Sequence, residues 1–319
     1  MAANTLLTGS VVKLKEDVED YVYNFSPDDA PLVSAIKRDK VHNVYFEWER
    51  DTYRAPNPAN ATIEGADASY GAIAQPGLLN NRTQIFQDAF SVSGTAEAVG
   101  KYGRKSEIDR IKVKRMVELK RDQEAAYLAG GAAVAGSGAT AARTRGLYGF
   151  ASLASTAGTA PNPLTNTAPV DGTDRALTEQ MLKDGLQSVF TNGGRGDAVY
   201  ASPAHKVKIS TFTGNVQRTN EVGSKGPATL NAAFDFYRSD FGVHKIVPNR
   251  VQAVAGKGLN DTVYIVDHDK LKNAQLRSFE SEELAKTGDA TNWQVRTETG
   301  LKVLDERTIY MITDILAAG

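Results

Sequence analysis

The densest ionisable cluster in the sequence is Asp267-His268-Asp269. A carboxylate beside an imidazole can orient it for proton transfer, or help to hold a metal. The triplet directly follows Val263–Val266, an apolar run that reads as a strand. Successive strand residues point to opposite faces, so the three side chains cannot converge if the strand continues. A catalytic site needs converging groups and a third partner. The triplet therefore reads as a strand end turning into a helix cap. His42, His205 and His244 are isolated and read as structural. With 0 cysteines there are no disulfides, thiolate nucleophiles, or cysteine-ligated zinc or iron–sulfur centres. Arg195-Gly196-Asp197 matches an adhesion tripeptide, but three residues match by chance and need a confirming context. Asn60-Ala61-Thr62, Asn81-Arg82-Thr83 and Asn260-Asp261-Thr262 are glycosylation sequons by pattern only. No phosphate loop, dinucleotide fingerprint, paired-histidine zinc motif, EF-hand loop or nucleophile elbow is present. The expectation is no enzyme, no cofactor and no metal.

The bulk properties narrow the class further. A chain of 319 residues has room for about two domains. Hydrophobic residues at 41% and charged residues at 24% are globular values. A net charge of -1 excludes a nucleic-acid binder that works through bulk charge, though not a local basic stripe. No apolar run approaches the roughly 18 residues of a membrane span, and Met1-Ala2-Ala3-Asn4 does not begin a secretion signal.

What remains to be positioned is a set of elements. Val11, Leu14, Val18 and Val22 have helical spacing in an N-terminal arm, and Pro31 to Ile36 offers a second short helix. Val41 to Arg50 alternates, with Val44, Phe46 and Trp48 on one face, and reads as a strand. Asn81 to Ser93 reads as its partner. Between them, Ala55 to Leu79 is rich in Ala, Asn, Pro and Gly and cannot build a core from its own residues. It is either a surface loop or a protruding arm that orders on a neighbouring subunit.

Ser106 to Ala129 is the strongest helix, capped by Ser106 and stopped at Gly130-Gly131, and spans roughly 36 Å. From Lys101 to Gly130 nine positive residues face five negative ones. That run is either a solvated face or a surface turned toward a polyanion. From Asp174 the pattern is mixed. Thr178 caps a helix with Leu177 and Leu182 as a hydrophobic staple, Asp197 to Ala201 is a short strand, and Ser202-Pro203 opens another helix. Further strands are expected at Phe241–Val247, Val251–Ala255 and Val263–Val266. Trp293 to Val303 alternates over a long strand with one wet face, and Ile309 to Ile315 is expected to pair with it across a turn at Asp305-Glu306-Arg307.

This order of elements resembles the major capsid proteins of tailed bacteriophages. TRGLYGF (144–150), SPAHKVKIS (202–210), DFGVHKIVPNR (240–250) and TGLKVLDERTIYMITDI (299–315) look like one subgroup of them. The resemblance implies an α+β tailed-phage major capsid protein fold. Its parts would be an N-terminal arm (1–40), an extended β-hairpin loop (41–95), a peripheral domain (96–175 and 271–319) with a spine helix (101–130), and an axial domain (176–270). It implies a structural head protein that self-assembles as hexamers and pentamers into an icosahedral shell around double-stranded DNA. Such a protein is located in the virion and assembles in the host bacterial cytoplasm. Scaffolding, decoration and portal proteins are implied partners, DNA is bound without sequence readout, and no membrane is involved. Only some 40 residues precede the hairpin, which implies a separate scaffolding protein or none. On this reading Phe46, Trp48, Arg50 and Arg54 are the expected contacts between subunits. Lys112, Lys114, Arg115, Lys120 and Arg121 are the expected DNA-facing cations. Two alternatives stay open: the shell protein of a cellular nanocompartment, and a soluble α/β enzyme with an unrecognised site. A tail-tube protein fits less well, because of the long helix.

Overall fold

A computed structural model of the chain describes residues 29–68, 70–73, 75–99, 106–212, 236–286 and 288–316. The expected helix at Val11–Tyr23 and the start of the spine at 101–105 lie outside the described residues.

The backbone of the fold is α3, Glu107–Ala129. Ser106 Oγ accepts from Asp109 N at 3.1 Å at its start, and Gly130 closes it. Its buried residues are Leu119, Gln123, Glu124, Tyr127 and Leu128. Val113 is exposed. Two polar residues take the core face instead, because each finds buried partners described below.

Two sheets pack on this helix. The first has the order β1-β10-β11-β4, from Lys37–Lys40, Leu271–Leu284, Ala290–Val303 and Gln84–Ser93. The second has the order β5-β12-β9-β6-β8-β7, from Leu153–Ser155, Tyr310–Ile312, Val263–Val266, Ala198–Ala201, Gly242–Pro248 and Phe236–Ser239. A separate two-stranded ribbon joins β2 (Tyr45–Arg50) to β3 (Gly77–Arg82).

Strands β6, β9 and β12 (AVYA, VYIV, YMI) are buried along their whole length. They are apolar at nearly every position because both faces are covered. Tyr200, Tyr264 and Met311 pack with Tyr127 and Leu128 of α3 and with α4 (Leu147–Phe150). Val199, Ile265 and Ile312 pack beneath α5 (Glu179–Thr191), whose cap is Thr178 Oγ1 at 3.4 Å from Met181 N. The expected staple residues, Leu177 and Leu182, are both in that cluster. Each such side chain removed from water contributes on the order of 1.5–3 kcal/mol.

Several expectations are corrected. Asn81–Ser93 is two strands rather than one, broken at Thr83. There the amide donates to Val44 O (2.8 Å) and the hydroxyl to Glu298 (2.9 Å), so the chain leaves the ribbon and enters the sheet. Val251–Ala253 is a 3-10 turn, because Asn249 Oδ1 takes the Val251 amide at 2.9 Å. Tyr310–Ile312 does not pair with β11. A 3-10 turn at Glu306–Thr308, capped by Asp305, sends it between β9 and β5 in the other sheet. Strand β11 has β10 and β4 as neighbours and no continuous wet face: Thr297 to Leu301 are all buried. Strand β10 is unannounced in the sequence, since LKNAQLRSFESEEL carries no apolar alternation.

Candidate functional site

The hairpin divides into a root that is fixed to the subunit and a tip that is not. At the root, Phe46 is buried beside Val41 and Ala274 and stacks on Trp48 with ring centroids 5.7 Å apart. Trp48 also meets Phe150 at 6.2 Å, and its Nε1 donates to Val303 O at 2.8 Å. Arg50 forms an ion pair with Glu306 at 2.9 Å, with 14% and 4% of the side chains exposed. Burial lifts the Glu306 carboxyl above its ordinary range, against the pull of Arg50. These three residues, expected to reach a neighbour, are seated inside their own molecule. Gly300 of β11 makes the close approach possible. A Cβ there would lie 2.7 Å from Arg82 O and 3.2 Å from the Phe46 ring.

A set of buried polar residues locks the root from the other strand. Asn81 Nδ2 donates to Leu301 O (2.6 Å), Arg145 O (3.0 Å) and Thr144 Oγ1 (3.1 Å). Its Oδ1 accepts from the amides of Arg145 and Arg82, each at 2.8 Å. A fully buried Asn81 with a buried Thr83 is no glycosylation acceptor. Arg145 is also fully buried. It donates to Pro163 O (2.8 Å) and Asn166 Oδ1 (2.5 Å) and sits 4.8 Å over the Phe150 ring. Burial pushes its guanidinium down to about 10. Beyond the sequon pattern at Asn81, nothing in residue type or spacing marks Asn81 or Arg145. The only other sequence signal was the string TRGLYGF around Arg145.

The tip, residues 51–76, contains no strand or helix among its described residues. Its large apolar side chains lie in solvent: Tyr53 is 103% exposed, Ile63 83%, Tyr70 97% and Ile73 88%. Arg54 is here, exposed, with one 3.4 Å contact to the adjacent Ala55 O.

The expected cations of α3 do not form one basic face. At 3.6 residues per turn, Lys112, Lys114, Arg115, Lys120 and Arg121 point all round the helix. Most are engaged. Arg115 bridges Asp88 and Glu118 at 2.9 Å each, and Lys114 lies 3.8 Å from Glu118. Lys112 sits 3.1 Å over the Trp293 ring, and Lys120 donates to Ser34 at 2.8 Å. Arg121 alone of the five has no ion pair, hydrogen bond or ring contact among the described residues.

Glu124 is a carboxylate that periodicity could not have placed in the core. It accepts from the amides of Leu32 (2.9 Å) and Val33 (2.7 Å) in α1 (Pro31–Ala35) and from Asn249 Nδ2 (2.7 Å). Burial raises its carboxyl against those donors. One side chain thereby ties the N-terminal segment to the helix and to the loop after β8.

The two short motifs interlock. Asp197 Oδ2 is 2.6 Å from His268 Nδ1, and His268 Nε2 is 2.8 Å from the Tyr200 hydroxyl. Asp267 caps Asp269 N at 3.1 Å and accepts from Arg195 N at 3.2 Å. Asp269 turns away to Lys37. Burial would raise Asp197, but the hydrogen bonds and charge of His268 outweigh it and hold the carboxyl below the usual range. The arrangement is a brace between β6 and β9, with Asp267 acting as the cap that the sequence suggested.

A family model described as SU10 major capsid protein matches residues 2–316. The chain is 26% identical over 324 residues to the major capsid protein of Escherichia phage Phieco32, covering 89% of each. Among solved structures it resembles a chain of the cyanophage A-1(L) capsid asymmetric unit, with TM-score 0.64, 15% identity and coverage of 97% of this chain and 98% of that one. A chain from Gordonia phage Cozz matches with TM-score 0.61, 13% identity and coverage of 99% and 97%. The α+β architecture is that of tailed-phage capsid chains.

Proposed function

This chain belongs to the SU10 major capsid protein family, and from that premise we propose that its copies join as hexamers and pentamers into an icosahedral shell around double-stranded DNA. It is a structural component of the virion and not an enzyme. The nanocompartment and enzyme alternatives have no support from the family or from the curated relative.

In this reading residues 1–40 are the arm, 41–95 the hairpin loop, 96–175 with 271–319 the peripheral domain around the 101–130 spine, and 176–270 the axial domain. The observation that carries the assembly mechanism is the tip of the hairpin. Tyr53, Ile63, Tyr70 and Ile73 are exposed, with no apolar surface among the described residues to cover them. Exposed apolar groups grouped on one projecting segment favour a partner surface. Contacts of this obligate kind bury about 2,000–5,000 Å². Each copy held by several neighbours in closed symmetry gains stability beyond any one contact. Phe46, Trp48 and Arg50 serve that contact by fixing the direction of the ribbon, and Arg54 by meeting an acidic group of the next copy.

The DNA lies against Arg121 more readily than against the engaged Lys112, Lys114, Arg115 and Lys120, and the contact is to phosphate alone. Scaffolding, decoration and portal proteins complete the particle, and assembly takes place in the host bacterial cytoplasm. Negative-stain imaging with light scattering of the purified protein tests the shell, and nuclease-protected nucleic acid in particles tests the cargo. Removing residues 55–75 spares the buried Leu79. It leaves folded subunits that form no closed shell. Normal shells from that variant would refute the role of the hairpin.

A further inference from the structure

The outer edge of β10 is only partly covered. Strand β1 pairs with Lys272 to Gln275, and Val41 N adds a last bond to Gln275 O at 3.1 Å. From Leu276 to Leu284 the inner edge stays bonded to β11, while the outer edge has no strand partner among the described residues. Register shifts between Gln275 and Arg277 and between Arg277 and Glu280 twist the strand where its cover ends. A groove of about 440 Å³ opens there, lined by Arg38, Asp39, Lys40, Leu276, Arg277 and Glu280 among others, with the Asp39 carboxylate held by Lys302 at 2.8 Å. Arg277 is committed to Glu298 at 2.8 Å, and Glu280 lies 3.8 Å from Arg296. Arg38 and Lys40 are exposed and have no ion pair among the described residues. The groove is thus an open strand edge beside two free cations. Unpaired edge N–H and C=O groups are a template for an added strand, with flanking side chains setting specificity.

The hairpin tip has the complementary character. Between Arg54 and Arg82 the sequence holds no Lys or Arg, and its only charges are Glu64 and Asp67. Both are exposed and without an ion pair among the described residues. Ile63 and Ile73 flank them in solvent. Folded back on itself, the segment 51–76 extends up to roughly 40 Å at about 3.3 Å per residue, beyond its own root.

We propose that the tip of one copy, around Glu64 and Asp67, docks along the outer β10 edge of a second copy, with the two carboxylates against Arg38 and Lys40. The inference rests on the shell-forming role proposed above and names the site at which the hairpin docks.

The chain has no native cysteine, so a disulfide trap is unambiguous. The double variant E64C K40C, oxidised after assembly, gives a ladder of linked multimers on a non-reducing gel, and E64C V207C gives none. Closed shells with no ladder from E64C K40C overturn the docking site while leaving the hairpin role intact. A linked monomer shows the tip docking on its own molecule and also overturns it. Failure of the unaltered chain to form shells is the separate failure of the underlying reading. Charge reversal supplies a second readout. R38E K40E lowers the assembled fraction about tenfold at physiological salt, and E64K D67K in the same chain restores it. Undiminished assembly of R38E K40E, or no restoration in a variant that folds, refutes the pairing.

Discussion

Arg50 Nη2 lies 2.9 Å from Oε1 of Glu306, and this pair joins the end of β2 to the turn that directs β12 into the six-stranded sheet. Both side chains are nearly removed from solvent, so neither charge can be relieved by water. R50A leaves a buried carboxylate unpaired and costs about 3–5 kcal/mol. E306Q R50M, which removes both charges, costs much less. Denaturant unfolding of the unassembled subunit distinguishes the two variants.

Gly300 is a steric gate for the hairpin root. G300A places a methyl group 2.7 Å from Arg82 O and against the Phe46 ring, so the ribbon must move. The expected cost is about 1–3 kcal/mol. Near-UV circular dichroism, reporting Trp48 stacked on Phe46, changes while helix content does not.

Tyr70 and Ile73 are exposed and belong to no buried cluster among the described residues. Y70S I73S therefore shifts unfolding by no more than about 0.5 kcal/mol. The same variant lowers the yield of sedimenting particles. A large loss of subunit stability would mean that the tip packs on its own molecule.

His205 and His244 are buried. His205 lies between Ser202 (3.0 Å) and Leu316 O (3.0 Å), and His244 between Gly196 O (2.6 Å) and Ser239 (2.7 Å). Burial lowers both imidazoles, against the backbone carbonyls that favour the charged form. The unfolded chain then binds more protons than the native one just below the ordinary histidine value near 6.5. Stability contributed by these groups is full above that value and falls as the pH drops through it. Thermal melts from pH 7.5 to 5.5 show the midpoint falling, and H244Q flattens that slope. A melt independent of pH across the window would contradict this account.

The legible parts of the fold were those written in local chemistry. Ser106, Thr178 and Ser202 announced their helices, because an N-cap is a short-range interaction between a hydroxyl and an amide three residues on. The alternation of Trp293 to Val303 marked β11, but not its neighbours, since period tells which residues share a face and not what covers it. That is why β12 was misassigned and β10 missed. The hairpin was foreseen as a segment unable to bury itself. Its fixed root was not, because Asn81, Arg145 and Glu124 are polar residues most of whose partners lie 18 or more positions away. Trp48 is expected from the sequence at a contact between subunits, and in the folded subunit it packs on Val303 and Phe150 of the same chain.

Strand order also bears on synthesis by the ribosome. β4, near residue 90, waits for β11, near residue 295, and β5 pairs only with β12 at residues 310–312. Neither sheet can close until residues up to 312 have emerged, and pairing so distant in sequence forms slowly. A nascent chain therefore presents a loose hairpin with no fixed base from which to be aimed. The subunit becomes competent to engage its sisters only once β11 and β12 have been made.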